Sequence, residues 1–330
     1  MVSPRLAQCC IGLALLVAAL LAPMSSASAQ NYPARRITLV VPYTPGSGFD
    51  IVARTVGQKL SERWGQPVIV DNKPGASGTI GTEAVANAAP DGYTLLVSGG
   101  PHTVYPSLMK NLRFDSIASF TPVGVTAAGV VALVVNPQAL PVSSVDELIK
   151  ELRAKPGKYN FSSPGVGTLQ HLGMELFKQQ AAQARRAARA LSRRRPRHHR
   201  PHHRAGAVHL SAGQLRAAAG AGRQAAHARG RELQRTALAP EVPSLSELGY
   251  PSLDFDLWFG FLGPANLPAA IVRKWDDELA AINALADVKE ALLKQGLAPM
   301  SLDSAATSEL IRRDIARWRE VVQNAGVKPE

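Results

Sequence analysis

The chain has 330 residues, 46% of them hydrophobic, 19% charged and 5% aromatic. That is enough to bury two cores, and it excludes a disulfide miniprotein, a collagen-like repeat and a wholly disordered chain. The formal charge of +12 points toward nucleic acid or an acidic surface, but residues 181–235 hold 14 Arg, no Lys and the single acid Glu232, while the remainder nets −1.

In chain order, residues 1–29 read as a secretory signal peptide. Arg5 supplies the positive start, Ile11 to Leu21 an apolar run too short to span a bilayer, and Ala27-Ser28-Ala29 a small-x-small cleavage pattern. Cys9 and Cys10 leave with it, so the mature chain has no disulfide or thiolate chemistry and is expected outside the cytoplasm, in the periplasm. Residues 36–42 form a short apolar run that reads as a buried strand. Val52, Val56, Leu60 and Trp64 recur at i+4, predicting a helix that Gly65 ends. Residues 67–71, 93–97, 130–135 and 159–163 predict further strands, and 145–152, 168–180, a segment from Pro268 and 304–325 predict helices; another helix runs to about Ala88. Alternating strands and helices imply a mostly parallel α/β architecture.

Three strand–turn–helix junctions carry Gly, Ser and Pro: residues 44–48, 74–78 and 164–167. Helix N-termini offer unpaired amides and a favourable dipole to an anion. Three such termini converging could hold a carboxylate without an arginine, each contributing roughly 0.3–1 kcal/mol when exposed. The hydroxyls of Ser47, Ser77, Ser162, Ser163 and Thr168 stand beside them. Asp50 opens the first helix, either as a local cap or as the residue that shapes the ligand loop. Enzyme fingerprints are missing: no GxGxxG follows the first strand, no Walker Lys-Ser/Thr occurs, and Gly75-Ala-Ser-Gly78 is not GxSxG. His102 and His171, the histidines outside the Arg-rich segment, have no acid/base or metal constellation around them in sequence and read as structural. No catalytic residue, metal or cofactor is expected.

Further motifs appear in order: Val41-Pro-Tyr-Thr-Pro-Gly-Ser-Gly-Phe-Asp50, Val70-Asp-Asn-Lys-Pro-Gly-Ala-Ser-Gly78, Pro90-Asp-Gly-Tyr-Thr-Leu-Leu96 and Ser162-Ser-Pro-Gly-Val-Gly-Thr-Leu-Gln-His-Leu172, then Pro240-Glu-Val-Pro-Ser244, Gly249-Tyr-Pro251 and Trp258-Phe-Gly260. Together they resemble the Bug family, the TctC-like extracytoplasmic solute receptors of tripartite tricarboxylate transporters, over about 31–180 and 236–330. The resemblance implies a two-lobed periplasmic-binding-protein fold (type II), each lobe a mostly parallel sheet flanked by helices. Residues 31–128 with 246–330 would form lobe one and 129–245 lobe two. It implies a monomer that captures a small carboxylate in the cleft, and transporter subunits in the membrane as partners. The family's ligand turns map onto Tyr43, Gly46 and Ser47, onto Gly75, Ala76, Ser77 and Gly78, and onto Ser162, Ser163, Gly165, Gly167 and Thr168. Phe49 stands where the family commonly has Thr, and Ser47 in a run that is often all Gly.

Residues 181–235 break the pattern. In place of the family's apolar strands stand Arg193-Arg-Arg-Pro-Arg-His-His-Arg200 and an Ala/Gly/Arg stretch. Arg223 to Glu232 can be encoded so that a reading one base later gives Gly-Lys-Leu-Arg-Thr-Leu-Ala-Val-Ala, which matches the family's Gly-Lys-Leu-Arg-x-Leu-Ala-Val run. A compensated pair of frameshifts accounts for this. The segment is then expected to be exposed and irregular, or helical at 181–191, and to leave the cleft short of one wall. The alternatives are a basic interaction protein binding nucleic acid or an anionic surface through 181–235, and an α/β enzyme. Against nucleic acid, the segment has no aromatic residue to stack on a base and lies behind a secretion signal. A metal site at His198, His199, His202 and His203 is disfavoured by the surrounding arginines.

Overall fold

The computed structural model describes residues 32–163, 168–182, 190–191, 208–212, 225–228, 240–250, 253, 255 and 257–327. The signal-peptide reading, Gly165 and Gly167, and the densest Arg run lie outside these residues. The first sheet takes its strands from both ends of the chain: β1 (Ile37–Val41), β2 (Val68–Asn72), β3 (Thr94–Gly99), β4 (Phe120–Gly129), then β10 (Leu257–Pro264) and β11 (Leu297–Leu302). The second holds β5 (Val131–Val135), β6 (Phe161–Ser162), β7 (Ala190–Leu191), β8 (Val208–Ala212) and β9 (Ala225–Ala228). Their orders are β11-β4-β10-β3-β1-β2 and β7-β6-β8-β5-β9. The helices are α1 (Gly48–Trp64), α2 (Thr79–Ala86), α3 (Gly100–Leu108), α4 (Val145–Ala154), α5 (Leu169–Ala182), α6 (Ala269–Ala284), α7 (Ala286–Lys294) and α8 (Ser304–Ala325).

Both sheets are mixed, not mostly parallel. β1 is parallel to β2 and β3, but β10 runs antiparallel to β3 and β4, and β11 antiparallel to β4. The cause is the path of the chain. Only Val130 separates β4 from β5, so the chain passes directly into the second sheet. It returns as β10, which enters the first sheet from the opposite end and slots between β3 and β4.

The period of two along the strands builds two separate cores on the first sheet. Ile37, Leu39, Val41, Leu95, Val97, Phe259 and Phe261 face α1 and α6, meeting Val52, Val56, Leu60, Trp275 and Leu279. Their neighbours Val40, Leu96, Trp258 and Leu262 face the other way, onto Val85, Tyr105, Leu310, Ile311 and Ile315. Each such Leu, Ile or Val contributes about 1.5–3 kcal/mol on burial. Ends are set as the sequence suggests. Gly65 caps α1 at φ 64° with its N–H on Ser61 O, and Ser144 caps α4 by accepting from Glu147 N.

The second core joins Val131, Leu133, Val135, Leu148, Phe161, Leu172 and Phe177 with three residues from the end of α8: Trp318, Val321 and Val322. α8 therefore serves both lobes, its first half on the first sheet and its last turns in the second core.

Of the described parts of 181–235, Ala181 and Ala182 are helical as expected, whereas 190–191, 208–212 and 225–228 are strands rather than helical or irregular. α5 is described as far as Ala182, and Ala190–Leu191 pair with Phe161–Ser162. β8 and β9 flank β5, with Val135 opposite Val208 and Val134 opposite Ala225. The regional arginine count concealed this. Neither Val208-His-Leu-Ser-Ala212 nor Ala225-Ala-His-Ala228 contains an arginine, and the first alternates apolar and polar residues. Strand pairing is made by the main chain, which every non-proline residue supplies.

Candidate functional site

The first turn leaves β1 through Pro42 and enters α1 at Ser47. Ser47 is the N-cap, its Oγ accepting from Asp50 N at 3.3 Å. Asp50 is 3% exposed, and its carboxylate accepts from four donors: Gly46 N at 2.9 Å, Arg54 Nε at 3.0 Å and Nη2 at 2.9 Å, and Asn72 Nδ2 at 3.0 Å. The Arg54 contact is a two-toothed fork, the strong form of a carboxylate pair. Burial alone would raise the Asp50 pKa, but Arg54, Gly46 and Asn72 outweigh it and hold the carboxyl below its ordinary range. Asn72 also donates to Tyr43 O at 3.1 Å, tying the turn to the end of β2.

This geometry revises how the turn can receive a ligand. Gly46 N is spent on Asp50, and Ser47 N donates to Thr44 O at 3.2 Å. The donors left at this helix start are the amides of Gly48 and Phe49, in the position where an α-helix cannot pair its own. Asp50 shapes the turn; its charge is balanced by Arg54.

The second turn has an unusual backbone. Gly75, Ala76, Ser77 and Gly78 all have positive φ, at 138°, 44°, 58° and 99°. Gly78 N donates to Gly75 O at 2.8 Å, closing the turn. Ala76 and Ser77 are exposed, and their amides and the Ser77 hydroxyl have no partner among the described residues. Successive amides in such a bend form a concavity that suits an anion.

Aromatic rings lie beneath both turns. Tyr43 stacks on Phe49 at 4.5 Å between centroids, and Phe49 meets Phe259 at 4.7 Å. The Tyr43 hydroxyl lies 3.2 Å from that of Tyr105, and Tyr105 donates to Ser77 O at 3.0 Å. Burial raises both phenols above their ordinary range, so each keeps its proton.

In the third region, Ser163 is buried and Thr168 Oγ1 accepts from His171 N at 3.3 Å at the start of α5. Ser162 ends β6. The hydrogen bonds that unite the first two turns do not reach these residues. His102 is fully buried, with Nε2 2.8 Å from Ser116 O, and its pKa falls to about 4 by desolvation. It is a neutral core residue at physiological pH. Among the described residues, no group of His, Cys, Asp and Glu is placed to hold a metal.

Sequence reasoning missed Arg54, Asn72, Tyr105 and Phe259. Arg54 was readable, being four residues after Asp50 on a helix. Tyr105 carried no local signal, standing 62 residues from Tyr43.

The model of the tripartite tricarboxylate transporter family receptor matches residues 52–189 and 201–327. The chain belongs to that receptor family. Protein BugT of Bordetella pertussis is 33% identical, over 96% of this chain and 97% of that protein. A UPF0065 protein of the same organism is 30% identical, over 94% of this chain and 96% of that protein. Among solved structures, one described as a periplasmic transporter is 28% identical with a TM-score of 0.72, covering 90% of this chain and 99% of that one. R. palustris Rpa4515 with adipate is 25% identical with a TM-score of 0.72, covering 91% and 100%. Members of the receptor family are periplasmic solute-binding proteins, not enzymes. The chain has their two-lobed α/β fold, and its function is that of a solute receptor. The two matched stretches leave out 190–200, where Arg193 to Arg200 lie.

Proposed function

We propose that this receptor captures a small carboxylate at the first two turns and delivers it, as a periplasmic monomer, to membrane subunits of a tripartite transporter. The observation that carries the reading is the pair of amides on the exposed residues Ala76 and Ser77, without a partner among the described residues and set beside a first turn held by Asp50. A carboxylate accepts from fixed main-chain donors without demanding an arginine. The adipate held by a family structure supports this ligand class. Tyr43, Gly46, Ser47 and Gly75 to Gly78 form the first-lobe wall, Gly46 through its bond to Asp50. Ser162, Ser163 and Thr168 would supply the opposite wall, with Gly165 and Gly167 carried over from the family resemblance alone. Residues 1–29 direct export, and no cofactor takes part. Calorimetric titration against C4–C6 dicarboxylates tests the proposal. Saturable binding with unchanged ligand on recovery is expected; turnover of the ligand, or no binding by any carboxylate, would sink it.

For 181–235 we propose a compensated pair of frameshifts. At positions 225–228, which form β9, the alternative frame reads Leu-Arg-Thr-Leu in place of Ala-Ala-His-Ala. That exchange puts two leucines into a strand that pairs with the buried β5. Resequencing the gene across this stretch decides the point.

A further inference from the structure

We propose that Tyr105 is the positioning residue that holds the second turn in its ligand-ready backbone. The inference rests on the carboxylate reading for what the turn receives, but not for how the turn is held. Non-glycine residues at positive φ are rare, and a left-handed residue costs roughly 1–2 kcal/mol. Among the described residues there are three, Ala76, Ser77 and Asn266, and two of them are adjacent here. Something outside the turn has to outweigh that cost.

The hydroxyl of Tyr105 does so. It is carried on α3, 3% exposed, and donates to the Ser77 carbonyl at 3.0 Å. A carbonyl only accepts, so the one Tyr105 proton is committed there. The 3.2 Å contact with Tyr43 is then a bond donated by Tyr43. The two phenols make a directed chain from the first turn to the second: Tyr43 to Tyr105 to Ser77 O. Gly78 seats the turn on these rings. A Cβ there would lie 2.5 Å from the Tyr105 hydroxyl and 3.2 Å from the Tyr43 ring. Thr82 Oγ1 donates to Gly78 O at 2.8 Å and fixes the helix side of the same bend. The bend is thus clamped at consecutive carbonyls, and the Ala76 and Ser77 amides have no partner among the described residues.

Tyr105→Phe keeps the ring and deletes only the hydroxyl. In the unliganded chain, amide hydrogen exchange at Gly78 and Thr79, whose N–H groups close the turn on Gly75 O and Ala76 O, is expected to quicken about tenfold. Adipate is the binding probe, and its affinity is expected to fall about tenfold with the melting temperature nearly unchanged. Adding Ala76→Gly, which removes the left-handed cost at that position, should recover part of the affinity. Unchanged exchange in Tyr105→Phe, or faster exchange with wild-type adipate affinity, overturns the proposal. If the wild-type chain binds neither adipate nor any other carboxylate, the ligand reading fails, and the exchange rates alone decide the role of Tyr105.

Discussion

Asp50 and His102 are buried titrating groups whose effects on stability fall in different pH windows. The Asp50 carboxyl sits below its unfolded value of 3.8, so its contribution is complete above that value and is lost as pH falls through the folded one. Asp50→Asn should destabilise the fold by about 1–3 kcal/mol at neutral pH, and should make the fall of stability below pH 4 shallower, the remainder coming from other depressed carboxylates such as Asp115. His102 works higher. Its folded pKa of about 4 lies below the 6.5 of the unfolded chain, so the unfolded state takes up the proton first. Stability should therefore fall on acidification between those values, by at most ~3 kcal/mol. His102→Gln should shrink that limb in urea unfolding measured from pH 7 to pH 4, leaving the share of His171, also lowered by burial, and the opposing share of Asp276, raised by burial to about 6. A variant that keeps the upper limb undiminished would place the titration elsewhere.

The first β–α–β unit was legible because apolar runs there are short and punctuated by glycine. β4 was not. Residues 120–129 include Pro122, two glycines and Ala127-Ala128, a composition that argues against a strand. It is a strand because β10 and β11 pair with it on both sides, an influence from more than 120 residues away. β10 and β11 themselves, and α3, were hidden for the same reason: their apolar residues are sorted by partners, not by local period. The site divided likewise. Turn composition was visible in 43–50 and 74–78, but the way the first turn spends its amides on Asp50 was not, because a sequence lists donors without saying which are taken. β3 offers a test of the strand order. A Cβ on Gly99 would stand 1.8 Å from Trp258 O, across the β3–β10 pair. Gly99→Ala should cost more than about 3 kcal/mol and lower the denaturant midpoint sharply. A wild-type midpoint would show the pairing of Phe259 with Gly99 to be wrong.

For the whole molecule, the second sheet is expected to be the less stable one. It draws three strands from 181–235, and two of them, β8 and β9, flank the buried β5. Restoring Leu-Arg-Thr-Leu across β9 should raise the melting temperature of the second lobe and tighten carboxylate binding together. Scanning calorimetry of both forms should show the lower transition moving up while the upper one stays. Movement of neither would remove the energetic argument for the alternative frame. α8 adds a last consequence. Trp64, Trp258 and Trp275 belong to the first lobe, whereas Trp318 packs edge-on to Phe255 at 5.4 Å in the second core. Its indole N–H is buried without a partner among the described residues, so its emission should be blue and sensitive to any polar group that approaches. The receptor thus carries its own optical gauge in the core of the second sheet. A ligand-induced change in tryptophan emission should vanish in Trp318→Phe and persist in Trp64→Phe, letting ligand capture be timed by stopped flow without an attached dye.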